Sequence, residues 1–296
     1  MSATNDDGSP KIYLLPNLMT AGNLFCGFLA TLKILQGALE SASAMAVANS
    51  SGLISQAAKV AALDAGSGHF KFAIWCILAA CVFDLLDGRL ARLGGTDSPF
   101  GREFDSLADV VSFGVAPALM VSRVVLRDFD KLGWLVASIY LICGAMRLAR
   151  FNCIAAANSA SASKEFKGFP IPAAAGLVAS LTLFMLHLNN DKVEHALMQW
   201  ILPPLLLFLS WMMFSGFKYP SFKNINWRTT RSIPVFLFTI VVLILVWQFY
   251  WWMLALIFIS YLLYGFLRPF LSKRIKQNIE EGEDEDDHEY ISPNDK

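Results

Sequence analysis

Charge is the first thing this chain is short of. Of its 296 residues, 16% are charged and 55% hydrophobic, and the mean hydropathy is +0.49. A soluble globular domain carries about a quarter charged residues. The shortage argues against an ordinary soluble domain and for a chain built to sit in lipid. Metal-binding soft ligands are also missing. Cys26, Cys76, Cys81, Cys143 and Cys153 lie in or beside apolar runs, with no C-x-x-C pair and no neighbouring histidine. They read as small membrane-packed residues, not as zinc ligands or a disulfide framework. The four histidines are scattered without zinc spacing. No glycine-rich phosphate loop and no Gly-x-Ser-x-Gly elbow occur, so neither P-loop chemistry nor an α/β-hydrolase serine is expected. Formal net charge is zero, so the total identifies no partner, and no nucleic-acid partner is expected. Chemistry has to come from carboxylates.

Long apolar runs are abundant. Segments of about 20 residues, enough to cross a hydrocarbon core of roughly 30 Å, recur along the chain. They fall at 18–39, 69–90, 106–126, 133–154, 171–189, 196–215, 233–250 and 251–268. The fold class expected is all-α: a polytopic membrane helical bundle of about eight transmembrane helices. The aromatic cluster Tyr250, Trp251 and Trp252 fits a tight interfacial turn between the last two. The first run carries Asn17, Thr20 and Asn23 at its start and is preceded by Asp6 and Asp7, a poor signal peptide, so a retained helix is expected. The segment KIYLLP before it is apolar enough to lie along the interface. The Ala/Ser/Gly-rich stretch 40–68 reads as a loop or weak helix. The tail from Glu280 onward is a block of like charge, solvated and disordered. Basic residues concentrate at 11, 89–102, 147–167, 218–231 and 268–276. This asymmetry predicts that both termini are cytoplasmic, in what is expected to be a bacterial inner membrane.

Charge does gather in one stretch, DLLDGRLARLGGTDSPFGREFDSLAD at residues 84–109. On a helix of about 100° per residue, Asp84, Asp87, Gly88, Ala91 and Arg92 share one face. Asp105 and Asp109, four apart, stack on one face of the next helix. The intervening GGTDSPFG is turn chemistry. Two antiparallel helices would thus bring two carboxylates each to a common point at the cytoplasmic side. Ionised aspartates inside a membrane helix cost about 2.5–3.5 kcal/mol each, so either some are protonated or cations neutralise them. Oxygen-only donors favour a hard cation, Mg²⁺ or Mn²⁺, and four are enough for a pair. The alternative is a solvated hairpin whose aspartates answer a helix dipole. That alternative accounts for Asp97 and Asp105 but not for Asp84 and Asp87, which follow the apolar run FAIWCILAACVF.

The spacing Asp84-x2-Asp87-Gly88-x2-Ala91-Arg92-x8-Gly101-x3-Asp105-x3-Asp109 resembles the full signature of the CDP-alcohol phosphatidyltransferase family. Three stretches, LPNLMTAGNLFCGF (15–28), MRLARFN (146–152) and GFPIPAAA (168–175), look like the CDP-diacylglycerol–serine branch of that family. The resemblance implies a six-helix catalytic membrane domain, expected at 18–215; hydropathy and charge set around it a cytoplasmic segment 1–17, a cytoplasmic loop 216–232, two additional helices at 233–270 and a basic-then-acidic tail 271–296. It implies a homodimer that transfers the phosphatidyl group of CDP-diacylglycerol to L-serine and releases CMP. Asp84, Asp87 and Asp105 would be metal ligands for two divalent ions, with Asp109 sharing metal contact and acting as general base. Gly88, Ala91, Arg92 and Gly101 would line the CDP moiety.

Asn17 and Thr20 could bind nucleotide or merely cap a helix. Arg147, Arg150 and Asn152 could hold a phosphate or the serine carboxylate, or the arginines could simply snorkel. Lys164, Lys167 and the turn at Gly168, Pro170 and Pro172 could cover the site or form an ordinary loop. A sibling transferase using inositol, inositol phosphate or glycerol phosphate is the alternative within the class. A cation transporter is the alternative outside it; it would spread its acidic residues at mid-depth and repeat them, whereas these gather at one hairpin.

Overall fold

The computed structural model describes residues 14–50, 56–94, 98–126, 129–157, 166–190, 196–215, 218–219 and 248–267. They form α1 (Leu14–Ser50), α2 (Gln56–Gly94), α3 (Pro99–Asp109), a π-helical turn (Val110–Val115), α4 (Ala116–Val124), α5 (Asp130–Ala157), α6 (Ile171–Asn190), α7 (Ala196–Phe214) and α8 (Tyr250–Leu267). A short antiparallel pairing joins β1 (Phe166–Lys167) to β2 (Lys218–Tyr219). Among the described residues, six helical stretches are long and apolar enough to cross a membrane, and Trp200–Phe214 is a shorter apolar helix. Seven of the eight expected helices have counterparts. Residues 220–247, which hold almost all of the expected helix 233–250, lie outside the described residues, as do 1–13 and the tail from 268.

Large apolar side chains divide between two environments. Phe70, Ile74 and Ile77 of α2, Phe113 of the π turn, Met120 of α4, Tyr140 of α5, and Ile171 and Leu177 of α6 are fully buried. Phe25, Leu39, Trp75, Leu107, Trp134 and Trp200 are exposed, as expected of a bundle whose outer surface meets lipid.

The stretch 40–68 is mostly helical. It extends α1 to Ser50 and opens α2 at Gln56. Alanine-rich sequence propagates a helix well, and close packing holds the two together. Contacts between Gly22 and Phe83, Gly37 and Gly66, and Ser41 and Gly66 make α1 and α2 an antiparallel hairpin. A Cβ on Gly66 would run into the Gly37 carbonyl, so paired small residues let the backbones touch.

The expected helix 106–126 is composite. Ser98 caps its start, its Oγ accepting from the Gly101 N–H at 3.0 Å, with Pro99 in the first turn. The π turn then interrupts the α-helical register. Pro117 lies four residues after Phe113 and has no N–H to offer its carbonyl. Tyr140 on α5 supplies the donor, its hydroxyl meeting Phe113 O at 3.0 Å in a fully buried setting. A carbonyl orphaned by proline is thereby satisfied by a neighbouring helix.

Beyond α5 the chain returns through Gly168, whose φ of +86° favours glycine and whose Cα lies against the Met213 carbonyl. α8 lies on α6, with the Phe258 ring against Gly176 and Tyr261 5.6 Å from Phe169.

Candidate active site

One side of α1 carries Asn17, Thr20, Asn23 and Gly27, all at helical spacing. This side runs past the end of α2 that holds Asp84 and Asp87 and past α3, which holds Asp105 and Asp109. Thr20 Oγ1 donates to Asp87 Oδ2 at 2.9 Å, and Asn23 Nδ2 donates to Asp109 Oδ1 at 3.1 Å. Asn17 approaches Gly101, whose missing Cβ would stand 3.4 Å from Asn17 Oδ1. Ser112 Oγ, in the π turn, donates to the Asn23 carbonyl at 2.9 Å. The contact is possible because a Cβ on Gly27 would overlap Ser112.

The carboxylates converge. One oxygen each from Asp84, Asp105 and Asp109 lies within 4.8 Å of the others. Asp109 and Asp87 are each 5% exposed. Asp87 stands beside this trio rather than in it, held by Thr20, and its charge still acts on Asp105 and Asp109. At an effective dielectric of about 20, two unit charges 4.8 Å apart repel by roughly 3.5 kcal/mol. An assembly of three is stable only with compensation.

A divalent cation fits that need. The donors are all hard oxygens, and Asp105 Oδ1 is buried without a hydrogen-bond partner. Asp84, Asp105 and Asp109 would hold the ion directly, with Asp87 at hand for a second.

Arg147 on α5 is buried, its Nε unpartnered, and it feels the charges of Asp109 and Asp84. The structure separates it from its two expected companions. The exposed Arg150 donates to the Phe214 carbonyl at 3.3 Å and lies over that residue's ring, closing the end of α7. Asn152 donates to Ser106 Oγ at 3.0 Å and to Glu103 Oε2 at 3.3 Å, tying α5 to α3. Gly88 is half-buried in α2. The side chains of Ala91 and Arg92 lie outside the described residues, as does residue 164. Lys167 and Gly168 form the β1 pairing and the turn after it.

Three residues were not foreseen as part of the site: Asn23 as partner of Asp109, Ser112, and Tyr140. Asn23 could have been found as a polar residue inside an apolar run, three positions beyond Thr20. Pro117 four residues after Phe113 was the corresponding trace of Tyr140.

Fold and site together define a polytopic helical membrane protein whose acidic side chains from two helices meet at one end of the bundle. Residues 13–212 match the family described as CDP-alcohol phosphatidyltransferase, and the chain belongs to that family. It is similar to a Helicobacter pylori protein named CDP-diacylglycerol–serine O-phosphatidyltransferase, with 34% identity over 259 residues, 87% of this chain and 91% of the relative. Proteins of the same name from Methanocaldococcus jannaschii (38% identity; 50% of this chain, 63% of the relative) and Saccharomyces cerevisiae (42%; 39% and 43%) are similar over shorter stretches.

Proposed function

We propose that this chain transfers the phosphatidyl group of CDP-diacylglycerol to the hydroxyl of L-serine, forming phosphatidylserine and CMP. The observation that carries the chemistry is the approach of Asp84, Asp105 and Asp109 across two helices. The choice of serine rests on the relatives' names and on a similarity that spans most of both chains.

Asp109 acts as general base, accepting the serine hydroxyl proton as that oxygen attacks the phosphorus bearing the diacylglycerol. A serine O–P bond forms, the P–O bond of the diphosphate bridge breaks, and CMP leaves with the bonding electron pair. Two Mg²⁺ or Mn²⁺ ions would supply charge neutralisation of the diphosphate. Asp84, Asp87 and Asp105 hold that charge in place. Gly88 and Gly101 leave room for the nucleotide, with Ala91, Arg92, Asn17 and Thr20 around it. Arg147, a buried cation with an unpartnered Nε, offers a bidentate site for the serine carboxylate or a phosphate. Arg150 and Asn152 stand off from it, on the Phe214 carbonyl and on Ser106 and Glu103.

In this reading the catalytic domain spans 18–215 and the site faces the cytoplasm of a bacterial inner membrane, with both termini on that side. The chain works as a homodimer.

The test is CMP release from labelled CDP-diacylglycerol in membranes, with serine, inositol, inositol phosphate or glycerol phosphate, and with and without a divalent ion. Release dependent on serine and the ion is expected. Turnover of inositol without turnover of serine refutes the acceptor assignment.

A further inference from the structure

Asp109 stands on a helix among like charges. Its side chain can rotate among staggered positions, and Asp84 and Asp105 within 4.8 Å drive it away from the productive one. A shared divalent ion would offset that repulsion, but a donor is still needed to orient the carboxylate without adding a further charge. A lysine or arginine in contact would hold Asp109 but neutralise it. An amide donor holds it and leaves the charge intact.

We infer that Asn23 is a positioning residue for Asp109, selecting the carboxylate oxygen that receives the proton. Asn23 is fully buried on α1, and its Nδ2 takes Asp109 Oδ1 at 3.1 Å. With Oδ1 on the amide, Oδ2 is the oxygen left to take the proton in this reading. The backbone that carries this amide is itself anchored. Ser112, three residues beyond Asp109, donates to the Asn23 carbonyl at 2.9 Å. α1 therefore grips the 109–112 segment at two points, with Asn23 in both. One bond holds the carboxylate, and the other holds the backbone from which the amide projects. Gly27 permits this grip, because no side chain fits between residue 27 and Ser112. Asn23 touches no reacting atom in this scheme and acts only through Asp109.

The inference rests on Asp109 being the base, and the experiment separates the two claims. Wild type, N23A, D109N and the N23A/D109N double variant are purified in detergent. CMP release is followed against serine and against CDP-diacylglycerol, melting temperature serves as the folding control, and Mn²⁺ binding is read by EPR without lipid substrate. N23A is expected to lower kcat by about tenfold or more, with KM for CDP-diacylglycerol within about twofold. It is also expected to weaken Mn²⁺ binding severalfold. The double variant should be no slower than D109N, because a residue that works through Asp109 has nothing left to position. S112A, which keeps the amide but frees its backbone, should lower kcat in the same direction by less, and it carries the test if N23A does not fold. N23A and S112A within twofold of wild type, or a double variant slower than D109N by the full N23A factor, overturns the positioning role. D109N with near-normal turnover overturns the base assignment instead.

Discussion

Gly27→Ala puts the site's architecture to a direct test. A methyl group at residue 27 would stand 2.6 Å from the Cα of Ser112 and 2.8 Å from its Cβ, and would overlap its hydroxyl. Carbon atoms rest about 3.5–4.0 Å apart, so relief requires α1 and the π turn to separate by about 1 Å. The nearest contact is backbone, and no rotamer change removes it. Two hydrogen bonds span the same contact, Ser112 to the Asn23 carbonyl at 2.9 Å and Asn23 to Asp109 at 3.1 Å. Lengthened by about 1 Å, neither remains a hydrogen bond. Overpacking costs about 1–3 kcal/mol and each of the two lost bonds about 1 kcal/mol, so a loss of about 3–5 kcal/mol in stability is expected. A displacement of that size at a catalytic carboxylate also lowers turnover about 100-fold. Gly68→Ala is the control. It lies on α2, and nothing stands within 4 Å of its added Cβ, so replacing glycine in a helix should be neutral or stabilising by up to about 1 kcal/mol. Thermal unfolding in detergent and CMP release, measured on both variants, decide the matter. A Gly27→Ala protein that melts and turns over like wild type would refute the close approach and the network built on it.

Asp84→Asn removes one of the three converging carboxylates, so the Mn²⁺ concentration for half-maximal CMP release should rise about tenfold or more; a metal titration checks it. Arg147→Gln should raise KM for serine about tenfold or more, whereas Arg150→Ala, whose guanidinium lies on Phe214, should change it less than about threefold; initial rates against serine distinguish them. Tyr140→Phe leaves the Phe113 carbonyl buried without a donor, for an expected loss of about 1–3 kcal/mol, read as a lower melting temperature.

Much of this was legible from sequence because the signals were strong and local. Apolar runs of membrane-spanning length located the helices, and Asp84, Asp105 and Asp109 at helical spacing announced their meeting point. What stayed hidden depended on partners far along the chain. Asp87 looked like one of four equal ligands, and only the packing of α1 reveals that Thr20 holds it. Arg147 and Arg150 stand one turn apart and read alike, yet one is buried beside the carboxylates and the other closes the end of α7. The periodicity of 106–126 suggested one unbroken helix. The π turn within it lies beside Pro117 and carries a carbonyl bound by the distant Tyr140, a tertiary arrangement that hydropathy does not encode.

That turn makes residue count itself a constraint. An α-helix tolerates substitution but turns by about 100° with every residue added or removed. Between Asp109 and Pro117 the wide turn sets the rotational phase between two faces: the one carrying the acidic side chains and the one burying Met120, Val121 and Val124. Deleting one residue from 110–115 would restore an uninterrupted spiral and keep every remaining side chain. It would also remove the wide turn that sets Ser112 against the Asn23 carbonyl and the Phe113 carbonyl against Tyr140. The number of residues in this turn therefore matters as well as their identity.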